Sequence, residues 1–419
     1  MDTDRTEYRS LPADDERFHE YVRYAFRPTA GPWDEDARED LRERVEDDEL
    51  VARENRGLFG DGDEPLAVAG FHDFRTRVRG SYHSAGAVTA VATPPEHRRR
   101  GHVRDLLTEM LAEFEAEGMP FSVLWPFKRS FYRDLGWETC SLYDEVECPP
   151  AQLRSAGAAP DGEFVPVGPE DWETLAPILD TQEAERGLHV DRTAEWWEKR
   201  VFQWWGGEDS FGYRWDGAIP EESRNSGEPR AYLVYRFADG EGDAGRTLRV
   251  LETAWTDPEA YRHLLRFLGD HDSQAETVEW YCPHDPEATL LDLVDDPSEV
   301  TVRTKAGPMV RIVDVARALS VLDYPAEAEG SVTLAVSDPL LPANDDTFRL
   351  EVEGGTARCG PTTADADASL PTTALSQLSV GFRDATFLAE TGALSADDAT
   401  VASLDALFPA EPTLLREGF

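Results

Sequence analysis

Lysine is nearly missing from this sequence: Lys128, Lys199 and Lys305 are the only three in 419 residues. With 84 acidic residues against 41 basic ones, the formal charge is -43. Such a balance excludes general binding to nucleic acid or an anionic membrane surface, where a protein must bring more cation than its ligand repels. The acids are spread evenly and arginine carries nearly all the positive charge, which points to a salt-adapted cytosol of haloarchaeal type. At molar salt the Debye length is roughly 3 Å, so self-repulsion and long-range attraction of ligands are both removed, and an anion must be held by direct contacts.

Cysteine is scarce as well. Cys140, Cys148, Cys282 and Cys359 contain no close CxxC pair, which excludes a disulfide framework and a cysteine metal knuckle. No long apolar run and no N-terminal apolar leader segment are present, so the chain is expected to be soluble, reduced and cytoplasmic. Cys282-Pro283-His284-Asp285 lacks a second ligand pair and reads as a strand end. His97 and His102 are five apart and do not share a helical face as the histidines of HExxH do. No metal site is expected.

Against this acidic background stands Arg98-Arg99-Arg100-Gly101-His102-Val103-Arg104. Four arginines in seven positions predict a strongly anionic ligand, and Gly101 among them permits close backbone approach. The run opens a helix after a strand. Amides in a first helical turn have no intrahelical partners, and the helix dipole favours negative charge there, so the turn is a candidate pyrophosphate cradle. Arginine side chains add charge-assisted hydrogen bonds. Taken alone, the run also fits a solvated counter-charge face.

Periodicity places the run in a sheet domain. Helices are predicted over 14–26 and 34–45, ahead of strands at 50–53, 66–71 and 87–91. Val103, Leu106, Leu107, Met110, Leu111 and Phe114 share a helical face that Gly118 ends, and a strand at 121–125 and a short helix at 130–135 follow. The Pro-, Ala- and Gly-rich stretch from Cys148 to Gly162 reads as a linker. A second domain repeats the order of strand, helix and strand, at 231–237, 248–254 and 278–282. There Asp257-Pro258 opens the helix in place of arginines and glycine, so this copy has lost the anion site. After Lys305, a helical face (Ile312, Val315, Ala316, Leu319, Leu322) and strand pairs turning at Gly354-Gly355 predict a third, α+β domain. The division is 1–150, 151–305 and 306–419.

Arg98-x-x-Gly101-x-Val103 behind a strand resembles the acetyl-CoA signature of the GNAT acyltransferases, RxxGxG or RxxGxA, with Val103 departing at the last position. The longer run from Val91 to Gly101, with Phe131-Tyr132-Arg133-Asp134-Leu135-Gly136-Trp137, resembles the Eis family of N-acetyltransferases, as do Met309 to Asp314 and Asp338 to Asn344. The resemblance covers the whole chain. It implies an α/β (α+β) fold of two tandem GNAT-type domains, the second degenerate, and a C-terminal α+β domain resembling the sterol carrier protein fold.

It further implies an acetyl-CoA-dependent N-acetyltransferase in which an amine attacks the thioester directly, without an acyl-enzyme. The terminal carboxylate of Phe419 would serve as general base and Tyr132 as general acid. Backbone groups of Val91 and Thr93 would bind the pantetheine arm, and Arg98, Arg99, Gly101, His102, Val103 and Arg104 the diphosphate. The acceptor is a small-molecule amine or an exposed lysine, and the assembly a homo-oligomer, as in hexameric Eis proteins. A non-catalytic acyl-CoA sensor or apolar-ligand carrier is the alternative. Glu35, Asp73 and His83 are acids and a histidine available to an acceptor pocket, though spacing selects none of them. Trp196-Trp197 and Trp204-Trp205 read as core or subunit contact.

Overall fold

The computed structural model of the protein describes residues 6–46, 51–202, 210–217, 227–239, 245–284 and 290–419. Two compact units emerge: Met1–Ser141 with Arg186–Asp191 and Gly307–Phe419, and Leu142–Glu185 with Arg192–Ala306.

The first unit opens with a strand that periodicity did not reveal, β1 (Glu7–Leu11), ahead of the two expected helices α1 (Glu16–Phe26) and α2 (Glu35–Glu46). Only Tyr8 and Leu11 are apolar in β1, which gains its order by pairing with β2 (Glu54–Phe59), Tyr8 opposite Leu58. β2 thus starts beyond the 50–53 window expected for it; Leu50 lies outside the described residues. β3 (Pro65–Val78) and β4 (Ser81–Ala92) make a long antiparallel hairpin. α3 (His102–Glu117) follows and buries Leu106, Leu107, Met110, Leu111 and Phe114, the face that spacings of three and four require. β5 (Phe121–Leu124), α4 (Arg129–Arg133) and β6 (Glu138–Thr139) come next.

In the second unit the chain runs β7 (Leu142–Cys148), α5 (Pro150–Ala156), β8 (Glu163–Val167), α6 (Trp172–Gln182), α7 (Ala194–Trp196), β9 (Phe211–Gly217), β10 (Glu228–Ala238), β11 (Thr247–Trp255), α8 (Pro258–Gly269), β12 (Thr277–Pro283), α9 (Leu290–Leu293) and β13 (Thr301–Ala306). Its sheet has the order β13-β7-β12-β11-β10-β9-β8, with only β11 and β12 parallel. The expected linker at 148–162 is corrected to a helix, α5, that packs on α8. A Cβ on Gly157 would stand 2.8 Å from the Arg266 Cα, and one on Gly269 would stand 2.4 Å from the Arg154 nitrogen. Small residues that resemble a linker in composition are what lets these two backbones touch. Trp196 and Trp197 are buried, as a core reading requires, whereas Trp204, Trp205 and Asp285 lie outside the described residues.

α8 begins as its sequence requires. The Asp257 carboxylate accepts from the amides of Glu259 (3.0 Å) and Ala260 (3.1 Å), Pro258 is its first residue, and Arg230 pairs with Asp257 at 2.8 Å. A carboxylate therefore already occupies the position where an anion would bind. Asp257→Ala is expected to cost about 1 kcal/mol through loss of the cap, visible as a lower thermal midpoint.

The chain then returns to the first unit. β14 (Met309–Ile312) inserts between β5 and β6, antiparallel to both, to give the order β1-β2-β3-β4-β5-β14-β6. α10 (Val315–Val321), β15 (Gly330–Ser337), β16 (Thr347–Glu353), β17 (Thr356–Pro361), β18 (Ala368–Pro371), α11 (Thr372–Ser379), α12 (Ala385–Glu390), β19 (Ser395–Ala396) and α13 (Asp398–Leu407) complete it, with a five-stranded sheet β17-β16-β15-β18-β19. The third segment is α+β, and β16 turns into β17 at Gly354-Gly355, as expected. Leu340 and Leu341, between β15 and β16, enter the same core as Leu106, Met110, Tyr132 and Trp137; each buried leucine contributes about 1.5–3 kcal/mol. Among the described residues, no helix is long and apolar enough to cross a membrane.

Candidate active site

β4 and β5 run parallel only from Ala85 opposite Phe121 to Val88 opposite Leu124. Beyond that β4 continues for four residues while β5 has ended, leaving a notch at the centre of the sheet. A bulge lies on the rim of this notch. Ala90 adopts φ 53°, and the register with β3 slips between Gly70 opposite Thr89 and Val68 opposite Ala92. One extra residue changes which side chains face which way. Val88 and Val91 pack towards α3, whereas Ala90 and Ala92 join Phe18 of α1 on the other face. The side chains of Val91 and Val103 both go into the α3 core, so at these two positions only the backbone is available to a ligand.

The turn into α3 contains two left-handed residues, Arg99 (φ 61°) and Gly101 (φ 93°). A left-handed cap favours glycine, and nothing lies within 4 Å of where its Cβ would be. Gly101, the residue at the N-cap of α3, has no side chain with which to cap it, and none is seen to do so among the described residues, in contrast to α8 with Asp257. The amides of Val103 and Arg104 thus lie in the first helical turn with the helix dipole behind them.

The arginines divide in their duties. Arg98 donates from Nε to the Thr93 carbonyl (3.1 Å) and lies over the Tyr24 ring at 5.3 Å. Arg104 donates to the Pro339 carbonyl. Arg99 and Arg100 are exposed and form no ion pair among the described residues, in a chain with twice as many acids as bases. Thr93 Oγ1 is buried without a hydrogen-bond partner among the described residues. An uncapped helix, two unpaired arginines and an orphaned hydroxyl around one turn form a donor set that fits a diphosphate.

Tyr132 lies on α4, buried among Phe131 (5.1 Å between rings), Phe127 (5.4 Å) and Trp137 (6.3 Å). Burial raises its hydroxyl well above the ordinary tyrosine value, so it stays protonated and able to donate. Phe419 is buried too. Its ring meets Phe74 at 5.1 Å and His72 at 6.3 Å, both on β3. Just upstream, Trp125 Nε1 donates to the Glu417 carbonyl at 2.6 Å, which ties the last residues to the end of β5. Phe419 thus lies against the face of β3 opposite α3, while Tyr132 belongs to the α3 core.

The three residues available to an acceptor pocket do not assemble. Asp73 pairs with Gly86, and His83 with Thr76, so the alternation of a strand puts their side chains on opposite faces; Glu35 is exposed on α2 and paired with Arg38 and Arg42. Sequence reasoning missed Ala90, Trp125, Phe74 and His72. Alanine gives no sign of a left-handed backbone, and the other three acquire their positions only through strand pairing and the returning chain end.

Residues 7–140 match the model of an acetyltransferase (GNAT) domain, 188–312 that of a second acetyltransferase (GNAT) domain, and 315–416 that of a sterol carrier protein domain. The chain is 28% identical over 362 residues to N-acetyltransferase Eis of Mycobacterium tuberculosis, which spans 84% of this chain and 85% of that protein. It is 29% identical over 369 residues to an uncharacterized N-acetyltransferase of Streptomyces griseus, spanning 81% and 84%. A crystal structure of a probable N-acyltransferase from Enterococcus faecalis aligns with a TM-score of 0.84 over 99% of this chain and 100% of that one, at 19% identity, a likeness of fold. With two acetyltransferase (GNAT) domains followed by a sterol carrier protein domain, the chain is an acetyltransferase, similar in sequence to the Eis proteins.

Proposed function

We propose that residues 1–150 transfer the acetyl group of acetyl-CoA to a primary amine, with residues 151–305 as a degenerate second copy and 306–419 as the third domain. The observation that carries this reading is the uncapped, arginine-flanked start of α3 beside the bulged end of β4. Amides of His102, Val103 and Arg104 with the side chains of Arg98 and Arg99 would hold the diphosphate at Gly101, and backbone groups of Val91 and Thr93 the pantetheine arm. Acetyl-CoA supplies the activated acyl group.

The amine nitrogen bonds to the carbonyl carbon while the carbon–sulfur bond breaks, which yields an amide and a thiolate; the second proton lost by nitrogen ends on that sulfur to give the thiol. The Phe419 carboxylate takes the ammonium proton. A free α-carboxyl has a pKa of roughly 3.3–3.7, too weak a base to hold that proton unaided, so it works through burial or as a relay to water. The Tyr132 hydroxyl faces the leaving sulfur. A thiol titrates near 8.5 and a buried tyrosine well above 10, so complete proton transfer to sulfur is uphill; the hydroxyl acts chiefly by hydrogen-bonding the thiolate as it forms.

Incubation with acetyl-CoA and a panel of amines in molar KCl is expected to release free thiol. Binding of coenzyme A without thiol release from any amine would leave the sensor reading in its place, and no binding at all would remove both. One alanine appended after Phe419 is expected to lower kcat at least tenfold by displacing the carboxylate; unchanged turnover would take the terminus out of the mechanism. The acid excess supports a salt-adapted setting, and the Eis resemblance a hexamer, which light scattering in molar salt tests.

A further inference from the structure

Arg311 on β14 is completely buried together with its partner Asp338. Its Nη2 donates to both Asp338 oxygens at 2.7 Å, and its Nη1 donates to the Leu135 carbonyl at 2.6 Å. The carboxylate is saturated from its other side. Oδ1 accepts from the Leu340 and Leu341 amides, each at 2.9 Å, and Oδ2 from Asn344 Nδ2 (3.2 Å) and Thr372 Oγ1 (3.1 Å). Stability does not explain such an arrangement, because an apolar pair of similar volume is often as stable as a buried ion pair or more so. What the pair does supply is one fixed geometry.

That geometry is imposed on the turn that carries Tyr132. The Tyr132 carbonyl accepts from the Leu135 amide (3.0 Å) and the Trp137 amide (3.1 Å), while the carbonyl of the same Leu135 is held by Arg311. The guanidinium also lies 5.3 Å over the Trp137 ring, whose edge meets the Tyr132 ring. Two paths, one through the Leu135 backbone and one through the indole, therefore connect the guanidinium to the tyrosine. From the other side, the Asp338 loop receives Arg104 of α3 at the Pro339 carbonyl.

We infer that Arg311, clamped by Asp338, is a positioning residue that aims the Tyr132 hydroxyl by fixing the turn from Leu135 to Trp137. This rests on the proposed role of Tyr132 at the leaving sulfur. Besides the Phe419 carboxylate, the segment 306–419 then contributes to the chemistry through two residues that touch no substrate, Asp338 and the Arg311 that enters the first sheet on β14.

The test replaces the pair by Arg311→Met/Asp338→Leu in the full-length protein, which removes the charges together and leaves the Leu135 carbonyl without its donor. Thermal unfolding, coenzyme A calorimetry and kcat with KM for the amine are measured with Tyr132 present and with Tyr132→Phe. A folded variant is expected with coenzyme A affinity and amine KM within about threefold of the parent but kcat lowered about 10- to 100-fold, the cost of misplacement by about 1 Å. In the Tyr132→Phe background the same exchange is expected to cause no further loss, because both act on one interaction. Parental kcat in the folded variant, or an equal loss whether or not Tyr132 is present, would overturn the inference. If Tyr132→Phe alone leaves kcat unchanged, the reading of Tyr132 has failed instead. Should the apolar pair not fold, Arg311→Lys carries the same comparison, since an ammonium cannot span Leu135 and Asp338 as a planar fork does.

Discussion

Replacing Gly136 by alanine is expected to unfold the first unit or lower its thermal midpoint by about 10 °C or more. Two independent reasons act at this position. Gly136 has φ 93°, where an L-residue loses roughly 1–2 kcal/mol. A Cβ there would also stand 1.4 Å from Arg311 Nη1 and 2.7 Å from its Cζ. The guanidinium cannot yield without leaving the buried Asp338, and breaking a buried pair costs about 3–5 kcal/mol. Together these approach the lower end of the roughly 5–15 kcal/mol that holds a typical domain folded. Gly330, with nothing near its missing Cβ and no positive φ, is the control: Gly330→Ala is expected to change the midpoint little. A Gly136→Ala protein that melts within about 3 °C of the parent would refute the account of this turn.

Tyr132→Phe is expected to lower kcat by about 10²- to 10³-fold, the usual effect of removing one preorganised donor from a developing anion. Coenzyme A affinity should hold within about twofold, because the ring still fills its place among Phe127, Phe131 and Trp137. The loss should fall on kcat and kcat/KM alike, the mark of an interaction made only in the transition state. Burial raises the hydroxyl, so in the parent Tyr132 keeps its proton throughout the usable range. The kcat profile should then show no alkaline fall with a midpoint below about 10, and its rise from the acid side belongs to the amine and its base. An unaltered kcat in the phenylalanine variant would assign the leaving sulfur to another donor.

The parts of this fold that were legible from residues alone are those in which neighbours along the chain supply the signal. α3 was readable because its buried face repeats every three or four residues and glycines bound it at both ends. α8 was readable because Asp257 caps it and Pro258 begins it. The candidate anion turn was legible for the same reason, since the arginines, the glycine and the helix they open are contiguous.

β1 and α5 were not legible. β1 depends on hydrogen bonds to a strand more than forty residues away, and α5 on an approach to α8 so close that only small residues permit it. The site shows the same division. The bulge at Ala90 comes from pairing with β3, and the seat of Phe419 comes from a chain end crossing to β3.

By itself, the sequence determined the acid excess, the arginine-rich start of α3, and the order of helices and strands wherever periodicity and caps are local. The tertiary structure decided the rest: the notch where β4 outruns β5, the seating of Tyr132 in the α3 core and of Phe419 against β3, and the Arg311–Asp338 clamp behind the Tyr132 turn. The physical reason is distance along the chain. A helix cap or an amphipathic face is written in residues a few positions apart, whereas a bulge, a seated terminus and a buried ion pair exist only once strands and loops distant in sequence have paired.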